Sequence, residues 1–221
     1  MKSILLSAML MLGLTSIAQT ETNSINDKYI LKIAPTVKFS WATSAKAKRN
    51  NNYPSYLISG IDVNFLLLHK KNNYHDFGLI TGFFPNTNSR NTRIKSFSGF
   101  QLGLEYSYRI SYTLKKSPNI GFFTSFGTQT IFSKTNGITV DYFAYKSTTR
   151  MIQQNLVFTP GIQYSKNKFY FDFSVPTSLG YEFLKSNSTT NSIPEPNNNF
   201  EQKYHLFNWN IGFKASVGVK F

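Results

Sequence analysis

Apolar side chains recur at every second position between Tyr29 and Phe221, in stretches longer than most strands of soluble proteins. Helical spacing fits none of these stretches. Because period two is the period of a β-strand with two different faces, the pattern predicts eight strands. They lie at about 29–41, 57–67, 76–83, 98–112, 120–132, 153–164, 169–183 and 204–221. In the clearest of them, the apolar row is Phe100, Leu102, Leu104, Tyr106, Tyr108, Ile110 and Tyr112.

The connections between the predicted strands alternate in length. The long ones are rich in Asn, Ser, Thr and Lys, and they lie at about 42–56, 84–97, 133–152 and 184–203. The short ones lie at 68–75, 113–119 and 165–168. Short turns at one end and long loops at the other are the layout of outer-membrane β-barrels, whose chain ends lie on the periplasmic side.

Charged residues and glycines indicate which face of the predicted barrel points inward. Both classes lie, within the strands, on the face opposite the apolar one. Eight strands enclose an interior just wide enough for side chains to fill, so the inner face needs small residues and does not hold a row of Phe, Tyr and Leu. The charged residues of this inner face are Lys32, Lys38, Asp62, Asp76, Glu105, Arg109, Asp172, Glu182, Lys214 and Lys220.

The fold class that follows is all-β: an eight-stranded antiparallel up-and-down transmembrane β-barrel with its bulky face toward lipid. A Lys or Arg on that outer face costs about 2–4 kcal/mol at the bilayer midplane, which explains why the strands carry none there. The alternative is a secreted soluble barrel of lipocalin type. It would place the glycines on the solvent surface and the bulky side chains in a small cavity.

The first 18 residues have the features of a signal peptide. Lys2 gives a positive start, an apolar run follows from Ile4 to Leu14, and the run from Ser16 to Ala18 matches a signal peptidase site. We therefore expect a signal peptide at 1–18, a periplasmic N-terminal segment at 19–28 and a barrel at 29–221. The remaining chain has no apolar run long enough for a membrane-spanning helix, and the absence of Cys excludes disulfides and a lipidated Cys.

Three prolines fall inside predicted strands, at Pro35, Pro160 and Pro176. Proline has no backbone N–H to donate to the ladder, and a closed barrel has no edge strand to accommodate it. The sequence therefore predicts β-bulges at these three positions.

The last predicted strand carries an outward row of apolar residues that includes Phe213, Val217, Val219 and Phe221. It resembles the C-terminal signal through which outer-membrane barrels are recognised by their assembly machinery. With the predicted signal peptide and eight strands, the chain resembles the small barrels of OmpA, OmpX and OmpW type. It is also similar to the porin-like "outer membrane protein beta-barrel domain" family, which includes PorT-like proteins. The resemblance implies an outer-membrane location and no particular activity.

The formal net charge of +14 comes from the predicted connections, because the bases and acids of the strands balance. Basic loops at the cell surface face the phosphates of lipopolysaccharide, which we expect as a partner. The alternative is a solvated surface kept soluble by lysines. No nucleic-acid-binding motif accompanies the charge, no cofactor is expected, and a protein partner stays unknown. The basic residues of the first two loops are Lys46, Lys48, Arg49, Arg90, Arg93 and Lys95.

A lumen with equal numbers of bases and acids predicts internal pairing and a plugged interior, because buried charges persist only when they are paired and hydrogen-bonded. Glu105 and Arg109 share one strand and one face, and Asp62 and Lys214 are expected near mid-height. A narrow water path lined by the same charges is the alternative. The candidate lumen charges are Lys38, Asp62, Glu105, Arg109, Asp172, Glu182 and Lys214.

Catalytic motifs are weak. His69 and His75 flank a predicted turn without a third metal ligand, and we interpret them as turn residues. His205 lies at the outer-leaflet end of the last strand, where lipid A deacylases carry a His with a Ser two residues later; here that position is Phe207. We therefore expect a non-enzymatic structural, surface-contact or assembly role. A narrow pore or carrier for small or apolar molecules and an outer-leaflet lipid-modifying enzyme stay open as alternatives.

Overall fold

A computed structural model describes residues 28–43, 56–70, 72–84, 94–140, 144–190 and 199–221. They form nine antiparallel strand segments. No helix within these residues is long and apolar enough to cross a membrane. The segments are β1 (Tyr29–Thr43), β2 (Tyr56–Lys70), β3 (Asn73–Phe84), β4 (Ile94–Leu114), β5 (Ser117–Val140), β6 (Ala144–Lys166), β7 (Phe169–Ser174), β8 (Thr177–Thr190) and β9 (Asn199–Lys220).

The strands close into a barrel of eight positions. Each strand pairs with its neighbours in sequence, and β9 pairs with β1, so the sheet returns on itself. β7 and β8 lie end to end between β6 and β9 and together fill one position in the wall. The eight-stranded antiparallel barrel predicted from the sequence is therefore confirmed.

The register fixes the tilt of the strands. Following paired residues once around the ring from Tyr29 returns to β1 at Phe39, a stagger of ten residues. A stagger of this kind accompanies a strand tilt of about 35–45° to the barrel axis. The path runs through Leu67, His75, Tyr108, Phe126, Phe158, Thr177 and Ile211.

The predicted β-bulges at Pro35 and Pro160 are wrong. Pro35 pairs with Ile61, and Pro160 pairs with Thr124, inside ladders whose register does not shift. On the other side of β1, the pairing with β9 has a gap at Pro35 and resumes in the same register. The missing N–H therefore leaves a local gap in the ladder and requires no extra residue.

Pro176 interrupts its strand, and here too the expected bulge is absent. Ser174 and Thr177 pair with Gly161 and Phe158 of β6, so equal numbers of residues separate the two ends on both strands. Val175 N–H donates to the Pro160 carbonyl at 3.0 Å. The wall thus passes through Pro176 with its register intact.

Much of the predicted loop sequence is strand. β5 and β6 continue to Val140 and from Ala144, so the predicted loop at 133–152 is wrong, and β4, β8 and β9 each extend into the predicted loops at 84–97 and 184–203. Thr43 of β1 pairs with Phe207, and Phe84 of β3 pairs with Gly99. The residues of β9 and β4 beyond these pairs therefore rise above β1–β3. We call residues 94–98, 133–140, 144–151, 184–190 and 199–206 the raised wall.

The end opposite the raised wall carries the tight turns. Positions 115–116 and 167–168 connect neighbouring strands, and β2 ends at Lys70 where β3 begins at Asn73, so the short connections predicted there are confirmed and are shorter than expected. Asn167 adopts a positive φ of 53°, a conformation that Asn tolerates better than most residues. Tyr29 and Phe221 exchange two backbone hydrogen bonds of 3.1 Å at this same end.

Large apolar side chains cover the outside of the barrel. Leu104 is 65 % exposed, and Phe, Leu, Ile, Val and Tyr residues of every strand share this outer face. The charged residues predicted to point inward do so: Arg109 and Asp172 are each 1 % exposed, and 12 % of the Lys38 side chain is exposed. An apolar exterior around a polar interior is the arrangement of outer-membrane barrels, opposite to that of a lipocalin.

Glycine permits close approach of neighbouring strands. A Cβ on Gly127 would lie 2.5 Å from the Cα of Ser107, and one on Gly60 would lie 2.8 Å from the Cα of Gly82. Both contacts are with backbone, which has no freedom to move away. The narrow interior therefore depends on Gly at these positions, as the glycine-rich inner face predicts.

The outward apolar face gives a depth-dependent prediction for Lys substitutions. Leu104 lies in the middle of β4, whereas Phe169, which is 74 % exposed, lies beside the turn at 167–168. In a bilayer we expect Leu104→Lys to cost about 2–4 kcal/mol of unfolding free energy and Phe169→Lys about 0–1 kcal/mol. Urea titration in liposomes, read by heat-dependent gel mobility, measures both. Equal costs at the two sites would contradict this orientation in the membrane.

Candidate functional site in the barrel lumen

The lower half of the lumen, near the turns, holds a network of two cations and two carboxylates from four different strands. Arg109 Nη1 of β4 lies 3.0 Å from Asp172 Oδ2 of β7. Lys32 Nζ of β1 lies 3.3 Å from the same oxygen and 3.2 Å from Asp76 Oδ2 of β3. These ion pairs connect strands that are not neighbours in the wall. The network therefore braces the barrel across its interior.

Arg109 has further partners in this network. Its Nη2 donates to Gln163 Oε1 at 2.8 Å and to the Tyr170 hydroxyl. Its guanidinium carbon lies 3.3 Å from the centre of the Phe123 ring, a cation–π contact. Ser216 Oγ donates to the other oxygen of Asp172 at 2.7 Å. A buried guanidinium and a buried carboxylate are thus paired and also hydrogen-bonded, which such groups require.

A second cluster lies higher in the lumen, around Asp62. Lys214 Nζ is 3.2 Å from Asp62 Oδ2 and donates to Asn64 Oδ1 at 2.6 Å. Lys38 Nζ is 3.7 Å from the same Asp62 oxygen. Asn64 Nδ2 in turn donates to Asp76 Oδ1 at 2.8 Å. Asn64 therefore joins this cluster to the lower network, and the pairing of Asp62 with Lys214 agrees with the sequence expectation.

The two glutamates are held by amides. Gln129 Nε2 donates to Glu105 Oε2 at 3.2 Å. Glu182 Oε2 accepts from Gln153 at 2.8 Å and from Asn208 at 3.2 Å. The expectation that Glu105 pairs with Arg109 along one strand is wrong. Arg109 turns to Asp172 instead, because the tilt of the strands brings β7 across from it.

An apolar cluster lies toward each end of the lumen. Ile58, Phe84, Met151, Leu184 and Leu206 pack together at the base of the raised wall, near the upper ends of β2 and β3. Ile30, Leu66 and Tyr170 pack together beside the turns, with Tyr74 against them. The charged clusters lie between these two layers.

The inward apolar residues do not form a continuous path. Ile58 belongs to the upper layer and Leu66 to the lower one, while Phe123 lies under Arg109 between them. A small cavity beside Lys38 and Gln129 has room for about one water molecule. Among the described residues, apolar clusters and paired charges therefore alternate along the lumen.

The basic residues predicted in loops lie mostly outside the described part of the chain. Lys95 lies in β4, in the raised wall. Lys46, Lys48, Arg49, Arg90 and Arg93 lie outside the described residues. In contrast, the outward row of the last strand is fully described, and Phe213, Val217, Val219 and Phe221 are all exposed on the outer face.

The histidines lie on the outer face of the wall. His69 and His75 are in β2 and β3, with ring centroids 4.9 Å apart, and His75 Nδ1 lies 2.9 Å from the Tyr106 hydroxyl. His205 Nδ1 is hydrogen-bonded to the Tyr181 hydroxyl. Among the described residues, no group of three or more His, Cys, Asp or Glu side chains is placed to hold a metal ion.

Three polar partners in the lumen were not predicted from the sequence. Asn64, Gln163 and Ser216 hydrogen-bond to the charged residues, and each lies in a predicted strand. Their position on the inward face was the available signal. Which of the inward residues meet across the lumen depends on register and stagger, which a single sequence does not give.

No protein-family model matches the chain, and no curated protein matches its sequence. Among solved structures, Neisserial surface protein A (NspA) is similar at 10 % identity and a TM-score of 0.46, over 88 % of this chain and 97 % of that one. The N-terminal β-barrel domain of Pseudomonas aeruginosa OprF is similar at 11 % identity and 0.40, over 87 % and 97 %. The Pseudomonas putida toluene transporter TodX is similar at 7 % identity and 0.27, over 89 % and 90 %. Sequence identities and TM-scores this low carry no argument about function, which has to be inferred from the residues of this chain.

The two kinds of buried carboxylate differ in the expected effect of neutralisation. Asp172→Asn leaves Arg109 and Lys32 short of a carboxylate in the lumen, and we expect it to cost about 3–5 kcal/mol of unfolding free energy. Glu105→Gln keeps an oxygen that accepts from Gln129, and Glu105 takes part in no ion pair among the described residues, so we expect a cost of about 1 kcal/mol or less. Urea unfolding in liposomes measures the difference. A larger cost at Glu105 would show that the ion-pair geometry is wrong.

Proposed function

We propose that the protein is an outer-membrane barrel with a closed lumen, which acts as a non-enzymatic anchor for structures at the cell surface. The observation that carries the proposal is the network of Arg109, Asp172, Lys32 and Asp76, which crosses the lumen between two apolar layers. A passage for solutes needs an open cross-section. Here the same cross-section holds paired charges and packed rings.

The outer surface supports the outer-membrane placement. A soluble protein rarely exposes more than a few hundred Å² of contiguous apolar surface. Here outward Phe, Leu, Ile, Val and Tyr residues follow one another around all eight wall positions. With the turns and the Tyr29–Phe221 end on the periplasmic side, as in outer-membrane barrels, the raised wall faces the outside of the cell.

A structural or surface-contact role fits this arrangement. The raised wall is a continuous antiparallel extension of the barrel, with pairs as far out as Val140 with Ala144 and Thr189 with Asn199. The barrel below, braced across its lumen, is the base from which this extension projects. Outer-leaflet lipid, including lipopolysaccharide, is its proposed contact. We also propose the barrel assembly machinery as a partner during insertion, through the outward row of β9.

Conductance measurements test the closed lumen. We expect wild-type protein in planar bilayers at neutral pH to show little or no steady current. Asp172→Ala leaves two buried cations without their shared partner, and because unpaired buried charges draw in water, leak events should become frequent. Glu201→Ala, outside the lumen, is the control and should resemble wild type. A large, stable, ion-selective current in the wild type would reject the proposal in favour of a pore.

The outward row of β9 gives a separate prediction for assembly. Phe221 and Phe169 lie at the same end of the barrel and are 60 % and 74 % exposed. If machinery reads β9, Phe221→Ser should reduce the yield in the membrane of cells several-fold more than Phe169→Ser. Refolding from urea into liposomes, where no machinery acts, should be affected alike in both. If Phe221→Ser were the more harmful variant in liposomes as well as in cells, recognition of β9 by the machinery would not be needed to explain the result.

A further inference from the structure

Four basic residues lie side by side on the outer face of the raised wall. Lys134 of β5 pairs directly with Arg150 of β6, Arg150 pairs with Lys185 of β8, and Lys185 pairs with Lys203 of β9. All four side chains are at least partly exposed. We call these four residues the cationic row. It crosses four neighbouring strands without interruption.

The cationic row lies at the boundary between apolar and polar surface. The outward row next to it on the barrel side consists of Phe132, Ile152, Phe183 and His205, in the same pairing. The next outward row away from the barrel consists of Asn136, Thr148, Asn187 and Glu201. The charges therefore stand where the apolar surface ends, at the height where lipid headgroups meet acyl chains.

This arrangement is costly for the free protein. Side chains directly opposite each other on neighbouring strands lie about 4.5–5.5 Å apart at Cβ, and like charges there are destabilising. Glu201 offsets part of the cost, because its carboxylate lies 2.9 Å from Lys185 Nζ and 3.2 Å from Lys203 Nζ. Lys134 and Arg150 have no carboxylate within ion-pair distance in the described part of the chain. That end of the row is therefore open to an external anion.

We propose that the cationic row binds the phosphate groups of a phosphorylated outer-leaflet lipid, whose acyl chains lie against Phe132, Ile152 and Phe183. The inference rests on the proposed outer-membrane placement and names the ligand of one surface. The contiguous apolar row favours a lipid over a soluble polyanion, which would have no use for it. Arg150 offers a planar fork that matches phosphate geometry, and the lysines add point charges beside it.

A lipid-binding measurement tests the proposal. Protein purified from membranes in nonionic detergent is titrated with diphosphoryl lipid A, with dephosphorylated lipid A and with inorganic phosphate, and bound molecules are counted by native mass spectrometry. The double variant Lys134→Gln/Arg150→Gln should weaken binding of diphosphoryl lipid A at least about tenfold. The matched control Lys115→Gln/Lys116→Gln removes the same charge at the turn end and should stay within about twofold of wild type.

The titrations with dephosphorylated lipid A and inorganic phosphate distinguish a lipid phosphate from a free one. Wild type should bind dephosphorylated lipid A at least about tenfold more weakly than the diphosphoryl form. Saturating inorganic phosphate should not displace the lipid. Equal weakening in both double variants, no weakening in the row variant, or displacement by inorganic phosphate would each overturn the proposal.

A charge-reversal variant separates ligand binding from folding. Lys134→Glu places a carboxylate opposite Arg150, so the fold should be at least as stable as wild type by heat-dependent gel mobility, while lipid A binding should fall. Unchanged binding in this folded variant would also overturn the proposal.

The conductance measurement is independent of the lipid-binding measurements. If the wild type conducts and the row variant loses lipid A binding, only the closed lumen is refuted. If the wild type does not conduct and the row variant binds lipid A as before, only the lipid site is refuted.

Discussion

The width of an eight-stranded barrel determines the rest of this structure. The interior is just wide enough for side chains to fill, so a long inward side chain such as Arg109 reaches strands that are not its neighbours. Glycine is needed where strands approach closely, as at Gly127, and every inward charge must find its partner among the other inward residues. The same constraint directs the bulky side chains outward. The barrel is therefore apolar outside because it is narrow inside.

Shared carboxylates keep the number of buried charges low. Asp172 serves Arg109 and Lys32, and Asp62 serves Lys214 and Lys38. The lower network is neutral as a set, with two cations and two carboxylates. The two glutamates are satisfied by Gln and Asn side chains, which supply hydrogen bonds without adding charge. Buried ion pairs do not by themselves make a fold stable. The loss of one member is costly, however, because it leaves the other charge unpaired and away from water.

The sequence predicted the faces of the strands correctly, and it failed on pairing and on length. Side chains alternate strictly along a strand, so parity assigned Arg109 and Asp172 to the interior. Parity does not say which strands meet across a lumen, and Glu105 was therefore matched with its neighbour on β4. The raised wall was missed for another reason. At Lys134 and Thr135, and at the β6 residues paired with them, both faces of the strand are polar, so the period-two signal is lost there while the hydrogen-bonded ladder continues.

The pairing of β1 with β9 makes the first and last strands of the barrel adjacent. Two ion pairs cross this seam: Lys32 of β1 reaches Asp172 on the β9 side, and Lys214 of β9 reaches Asp62 on the β1 side. Until the seam closes, the sheet has two open edges and these two ion pairs are absent, although Lys32, Asp172 and Asp62 each have a second partner on their own side of the seam. Closing the ring therefore also completes the pairing of charges in the lumen, and both need the first and the last strand to be together. The contacts that close the barrel join residues almost its full length apart, and long-range contacts of this kind make folding slow.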